Sequence, residues 1–107
     1  MRLTSLILLL GLVGTALQSI AEGPAELSGL RTTRWSNGNP REQATYAKGL
    51  REGDCQRWHA DGTPRADGRY EAGRMIDEWR FYDETGSLDT TRSGLFEGGD
   101  RVSSLRL

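Results

Sequence analysis

The alternation of apolar and polar positions divides most of this chain into short segments separated by glycine-centred turns. In "RMIDEWRFY", strand periodicity puts Met75, Asp77, Trp79 and Phe81 on one face and Ile76, Glu78, Arg80 and Tyr82 on the other. In "PRADGRY", Ala66, Gly68 and Tyr70 share a face, and earlier in the chain Glu42, Ala44 and Tyr46 do the same. Small residues alternating with Tyr leave room for a Trp from a neighbouring strand, the kind of cross-strand pair that holds a sheet together.

The turns recur at a fixed interval. Gly38, Gly62 and Gly86 are spaced by 24, as are Gly49 and Gly73. Each closes a turn-like cluster, which predicts turns at Asn37-Gly38, Lys48-Gly49, Asp61-Gly62, Ala72-Gly73 and Thr85-Gly86. The intervening segments, about seven to nine residues long, suit strands and are short for helices. Pro40 and Pro64 fall at strand starts, where a missing N–H does least harm. Two turns per period predict one hairpin per repeat. In the third copy Phe96 and Gly99 come two residues late, which predicts a bulge or longer turn between Thr90 and Gly94, with Val102 in a last strand. The expected fold is all-β: an antiparallel meander of tandem ~24-residue hairpins in a single-layer sheet.

The first residues read differently. "MRLTSLILLLGLVGTALQSIA" has one early charge, Arg2, an apolar run, and small residues Ser19 and Ala21 ahead of a cleavage point. This is the pattern of a secretory signal peptide. The division is thus 1–21 signal peptide, 22–34 linker and 35–107 repeat domain, in an exported (periplasmic or secreted) protein. The alternative is an inner-membrane anchor formed by residues 3–21, which approach the ~20 apolar residues a span needs. From Glu22 onward, 13 basic and 15 acidic side chains are interspersed, which argues against nucleic acid as a partner and against a polybasic membrane tether.

"YAKGLREGDCQRWHADGTP" and "YEAGRMIDEWRFYDETGSL" resemble the variant MORN repeat of bacterial proteins, an aromatic followed by Gly and then "G-E-W-x-x-Y-x-x-x-G". The resemblance covers about Trp35 to Gly99 and points to the YwqK family, whose members are labelled antitoxins of toxin–antitoxin systems. Cys55 stands where the pattern has Trp, and Asp77 where it has Gly. The resemblance implies a non-catalytic protein that binds a macromolecular partner, antitoxin-like or as a scaffold. Its alternative is a membrane-associated MORN-type module.

The remaining chemistry is sparse. Cys55, the only cysteine, aligns with Trp79 and so belongs on the packed face; a buried thiol, an intermolecular disulfide and a reactive nucleophile are its three readings. His59, the only histidine, is expected as a solvated turn residue. Asp77-Glu78 and Asp83-Glu84 are sequence neighbours, which on a strand sends them to opposite faces. No spacing marks a catalytic residue, a metal site or a cofactor site. A surface remains: Arg57, Trp58, Ile76, Arg80 and Tyr82 are the candidate partner-binding residues, expected opposite Trp79 and Phe81. The competing reading is that they only shield the second side of a thin sheet.

Overall fold

The structure, a computed structural model, describes residues 27–107. The expected signal peptide and its cleavage point lie outside the described residues. Seven strands follow in chain order: β1 Gly29–Arg34, β2 Pro40–Ala47, β3 Leu50–Trp58, β4 Pro64–Glu71, β5 Arg74–Phe81, β6 Gly94–Glu97 and β7 Asp100–Ser103. They form one open sheet in the order β1-β2-β3-β4-β5-β6-β7, each antiparallel to its neighbours. The all-β meander is therefore as the alternation predicts.

Its first strand lies in the segment expected as linker. Residues Gly29–Arg34 pair with β2 from Gly29↔Tyr46 to Arg34↔Pro40. All six are exposed, so no apolar alternation marks the strand in the sequence. Backbone pairing with β2, and not burial, holds it.

Both sets of turns form, by different geometries. Lys48-Gly49 and Ala72-Gly73 have positive φ at both residues, as does Gly98-Gly99. That is the two-residue turn whose twist matches a hairpin. Asn37-Gly38 and Asp61-Gly62 do not follow it: only the glycines have positive φ, at 93° and 95°. There Gly38 N–H donates to Trp35 C=O and Gly62 N–H to His59 C=O, closing wider loops. The same bond joins Gly86 N–H to Asp83 C=O.

Hydrogen bonds recur across the hairpins at matching places. Gly49, Gly73 and Gly99 N–H donate to Leu27, Arg51 and Met75 C=O. At the other end of the strands, Trp35 Nε1 donates to Trp58 C=O at 3.1 Å, and His59 Nε2 lies 3.1 Å from Tyr82 C=O. His59 is thus a half-buried partner of the next loop rather than a solvated turn residue. The two late residues of the third hairpin are absorbed by a turn in which Asp89 Oδ1 accepts from Thr91 and Arg92 N–H and Ser93 N–H donates to Asp89 C=O. Ser93, fully buried, then accepts from Phe81 N–H at 2.8 Å, replacing a strand partner.

Two bulges decide where the core sits. Between Ala44↔Cys55 and Tyr46↔Arg51, β3 sets Glu52, Gly53 and Asp54 against Thr45 alone. Twenty-four residues on, β5 sets Asp77, Glu78 and Trp79 against Gly68 alone. Gly53 and Asp77 carry the positive φ these bulges need, 94° and 61°. Asp77 is exposed as a result, not packed beside Trp79 as simple alternation predicts. The bulge lays the Trp79 indole on Gly68, where a Cβ would stand 2.1 Å from the ring. Trp79 is completely buried, its Nε1 donating to Arg69 C=O at 2.9 Å.

Among the described residues no second layer covers the apolar face of this single sheet. Trp79 stacks on Phe81 with centroids 5.7 Å apart and meets the edge of Tyr70 at 5.1 Å. Ala44, Cys55 and Ala66 complete the buried cluster. Guanidinium groups roof it: Arg57 lies over Trp79 at 5.6 Å, and Arg92 over Phe81 at 4.4 Å. Long arginine stems shield rings while their charged ends stay near water.

Candidate functional site

The face opposite Trp79 is polar. Register brings Thr32, Gln43, Gln56, Asp67 and Arg80 side by side across five strands. Beside this row stand Thr45, Asp54, Arg69 and Glu78, and with Gln43, Gln56, Asp67 and Arg80 they line a hollow of about 640 Å³ that has Leu30 at one side. Amides, carboxylates and guanidiniums alternate there, so both donors and acceptors are presented. Arg80 pairs with Glu78, and Arg69 lies 3.9 Å from Asp54. Burial pushes the Asp67 carboxyl above its ordinary range, with Arg80 pulling it down and Glu78 adding to the rise.

The five candidate residues do not share one place. Arg80 lines this hollow, and Ile76, half-buried, stands opposite its lining residue Arg69. Trp58 and Tyr82 are half-buried at the strand ends, where their carbonyls meet the side chains of Trp35 and His59. Arg57 belongs to the other face. It shares strand parity with Cys55, and its guanidinium lies over Trp79.

On that face Arg57 is part of a compact ionic knot. Glu42 accepts from Arg57 Nε at 2.8 Å through one oxygen and from Arg51 at 2.8 Å through the other. Arg57 Nη2 donates to Tyr70 Oη at 2.7 Å. Burial alone raises the Glu42 carboxyl, but the hydrogen bonds and charges of Arg51 and Arg57 outweigh it and hold the group below its ordinary value. Burial also lowers the Arg57 guanidinium, and its bonds to Glu42 and Tyr70 more than reverse this. Cys55 Sγ sits 3.8 Å from Glu42 and is 1% exposed; burial pushes the thiol to about 11. A thiol so protonated and enclosed is a poor nucleophile.

Sequence reasoning missed this knot, although Glu42 alternating with Ala44 and Tyr46 signalled a carboxylate on the packed face. Asp83 Oδ1 is satisfied by Thr85 and Ser87 within its own loop. Among the described residues no group of His, Cys, Asp and Glu is arranged to hold a metal ion. No known protein family, curated protein or solved structure matches the chain.

Proposed function

We propose that this protein is an exported, non-catalytic repeat protein of the variant MORN type, whose polar sheet face binds another macromolecule as an antitoxin- or immunity-like partner or as a scaffold. The observation that carries the reading is the five-strand row Thr32–Gln43–Gln56–Asp67–Arg80 with the hollow around it. Bond-forming side chains on a rigid sheet, spaced by strand separation, are how a repeat surface recognises an extended partner. Recurrence of the hairpin hydrogen bonds and of the two bulges supports the tandem-repeat reading.

Affinity capture from the native host tests it. Wild type retains a specific protein, and the double variant Gln56→Ala, Arg80→Ala loses it while melting like wild type. Retention by that variant moves the binding surface elsewhere, and loss with Trp58→Ala instead places it at the strand ends. The membrane-associated alternative is separated by flotation with liposomes. Mature-chain mass in the exported fraction tests the localisation: a start near Glu22 supports export, and an intact membrane-bound chain supports the anchor.

A further inference from the structure

The loop end of the sheet holds a second feature, independent of the partner-binding reading. Two more bulges lie there, and both bulged residues are arginines. Pairs Thr33↔Glu42 and Arg34↔Pro40 leave Arg41 as the extra residue of β2; pairs Arg57↔Ala66 and Trp58↔Pro64 leave Arg65 as the extra residue of β4. A bulge re-aims a side chain that regular alternation would send to the opposite face. Arg41 lies over the Trp35 ring at 4.8 Å, and Arg92 over Phe81 at 4.4 Å. Arg65 is close enough to Arg41, Arg57 and Arg92 for all three charges to disfavour its own, with Glu42 acting in the opposite sense.

Among the described residues three of these four cations lack an ion pair, though Arg92 and Asp89 are close enough for their charges to act on each other. Arg57 is neutralised by Glu42, which also serves Arg51. Among the described residues no carboxylate comes within ion-pair distance of Arg41, Arg65 or Arg92. Arg65 Nε is buried and makes no hydrogen bond. Its side chain lines a hollow of about 540 Å³ with Trp35, His59, Ala60, Asp61 and Glu84. Of the two carboxylates there, Asp61 is engaged by the N–H and hydroxyl of Thr63. Glu84 is exposed.

Gathering unpaired guanidiniums costs electrostatic energy unless something offsets it. We propose that this hollow binds a phosphate or sulfate group, with Arg65 as the central ligand and Arg41 and Arg92 flanking it. Guanidinium groups match the oxygens of a tetrahedral anion through paired N–H donors. A doubly charged oxyanion offsets more of the three charges than a carboxylate does. The rest of the hollow, beside Trp35 and His59, admits an organic group joined to the anion.

Calorimetric titration of the purified protein with inorganic phosphate, at fixed ionic strength set by chloride, is the direct test. One saturable site is expected, with sulfate competing and acetate not. Arg65→Gln should weaken phosphate binding at least about ten-fold, equal to ~1.4 kcal/mol. Arg106→Gln, an exposed arginine elsewhere, should leave it unchanged. Without phosphate, Arg65→Gln should melt at or above the wild-type temperature, because it relieves repulsion; a purely structural arginine would lower it. A phosphate-dependent rise in melting temperature should appear in wild type and be lost in Arg65→Gln. Vesicles containing phosphatidylglycerol distinguish the source: competition by phosphate for vesicle binding assigns a lipid headgroup, and its absence with intact phosphate binding assigns a soluble ligand. No saturable heat in wild type, or equal binding by Arg65→Gln and wild type, overturns the proposal.

Discussion

Gly68 and Trp79 are one feature, since the indole lies where any side chain at 68 would be. Gly68→Ala forces the ring to move, because a Cβ there stands 2.1 Å from it. The expected loss is ~1–3 kcal/mol, the usual range for overpacking, with a red-shifted tryptophan emission. Trp79→Ala should cost more, ~3–5 kcal/mol, and largely unfold so small a domain. Cys55, 1% exposed with its thiol pushed to about 11, should react with alkylating reagents only as fast as the chain opens. Glu42 contributes to the pH dependence of stability in acid. Its folded-state carboxyl lies below the ordinary value of 4.5, so the folded chain holds that proton more weakly than the unfolded chain does. The stability it contributes is complete above 4.5 and is lost as pH falls through the depressed value. Asp67 acts in the opposite sense: its raised value costs stability once pH rises through it. Glu42→Gln should therefore lose roughly 2–3 kcal/mol at pH 7, less than a fully buried pair because Arg51 remains partly exposed, and the loss should shrink as pH falls from 4.5 through the depressed value. Denaturant midpoints of both proteins across pH 3–8 measure this, and a difference independent of pH would refute the assignment.

At the level of strands and turns, glycine spacing and alternation made β2 to β5 legible, with Pro40 and Pro64 at their starts. They made β1 invisible, because a strand held by its backbone alone carries no apolar signature. The faces of Trp79 and Cys55 were legible for the same reason that Arg57 should have been: parity along β3 ties Arg57 to Cys55. What alternation could not give was the pair of bulges, where register and not composition puts Asp77 outside and Trp79 over Gly68. Comparison of the two bulges yields a prediction. Asp77 occupies φ 61° where its counterpart Gly53 has φ 94°. An L-residue with a side chain is strained there, although Asp tolerates this region better than most. Asp77 is exposed and makes no buried contact to lose. Asp77→Gly should thus stabilise the protein by ~0.5–1 kcal/mol in urea titration, and a destabilised variant would show that the Asp side chain supports the bulge.

At the scale of the whole sheet, the described residues form one layer with two unequal ends. β2 to β5 carry the buried cluster, the ionic knot and all of the polar row but Thr32, whereas β1 and β7 are exposed along their length. The sheet is open, so the outer N–H and C=O groups of both edge strands face solvent, and Leu30 and Val102 stay 66% and 50% exposed. β1 has no Pro and no bulge of its own, only Arg31 and Arg34 to discourage a second chain. Free energy of local opening should accordingly fall outward from the Trp79 cluster, because stability tracks buried contacts. Hydrogen exchange on the isolated protein should show strongest protection at Cys55, Ala66 and Phe81, in β3 to β5, and the weakest along β1 and in β7. Adding a protein retained in the affinity capture proposed above should slow exchange in the strands carrying Gln56, Asp67 and Arg80 if the polar face binds it. Should β1 be as protected as β4 in the isolated protein, its edge is covered in solution. The sheet would then continue into another chain, and dilution would expose β1 again.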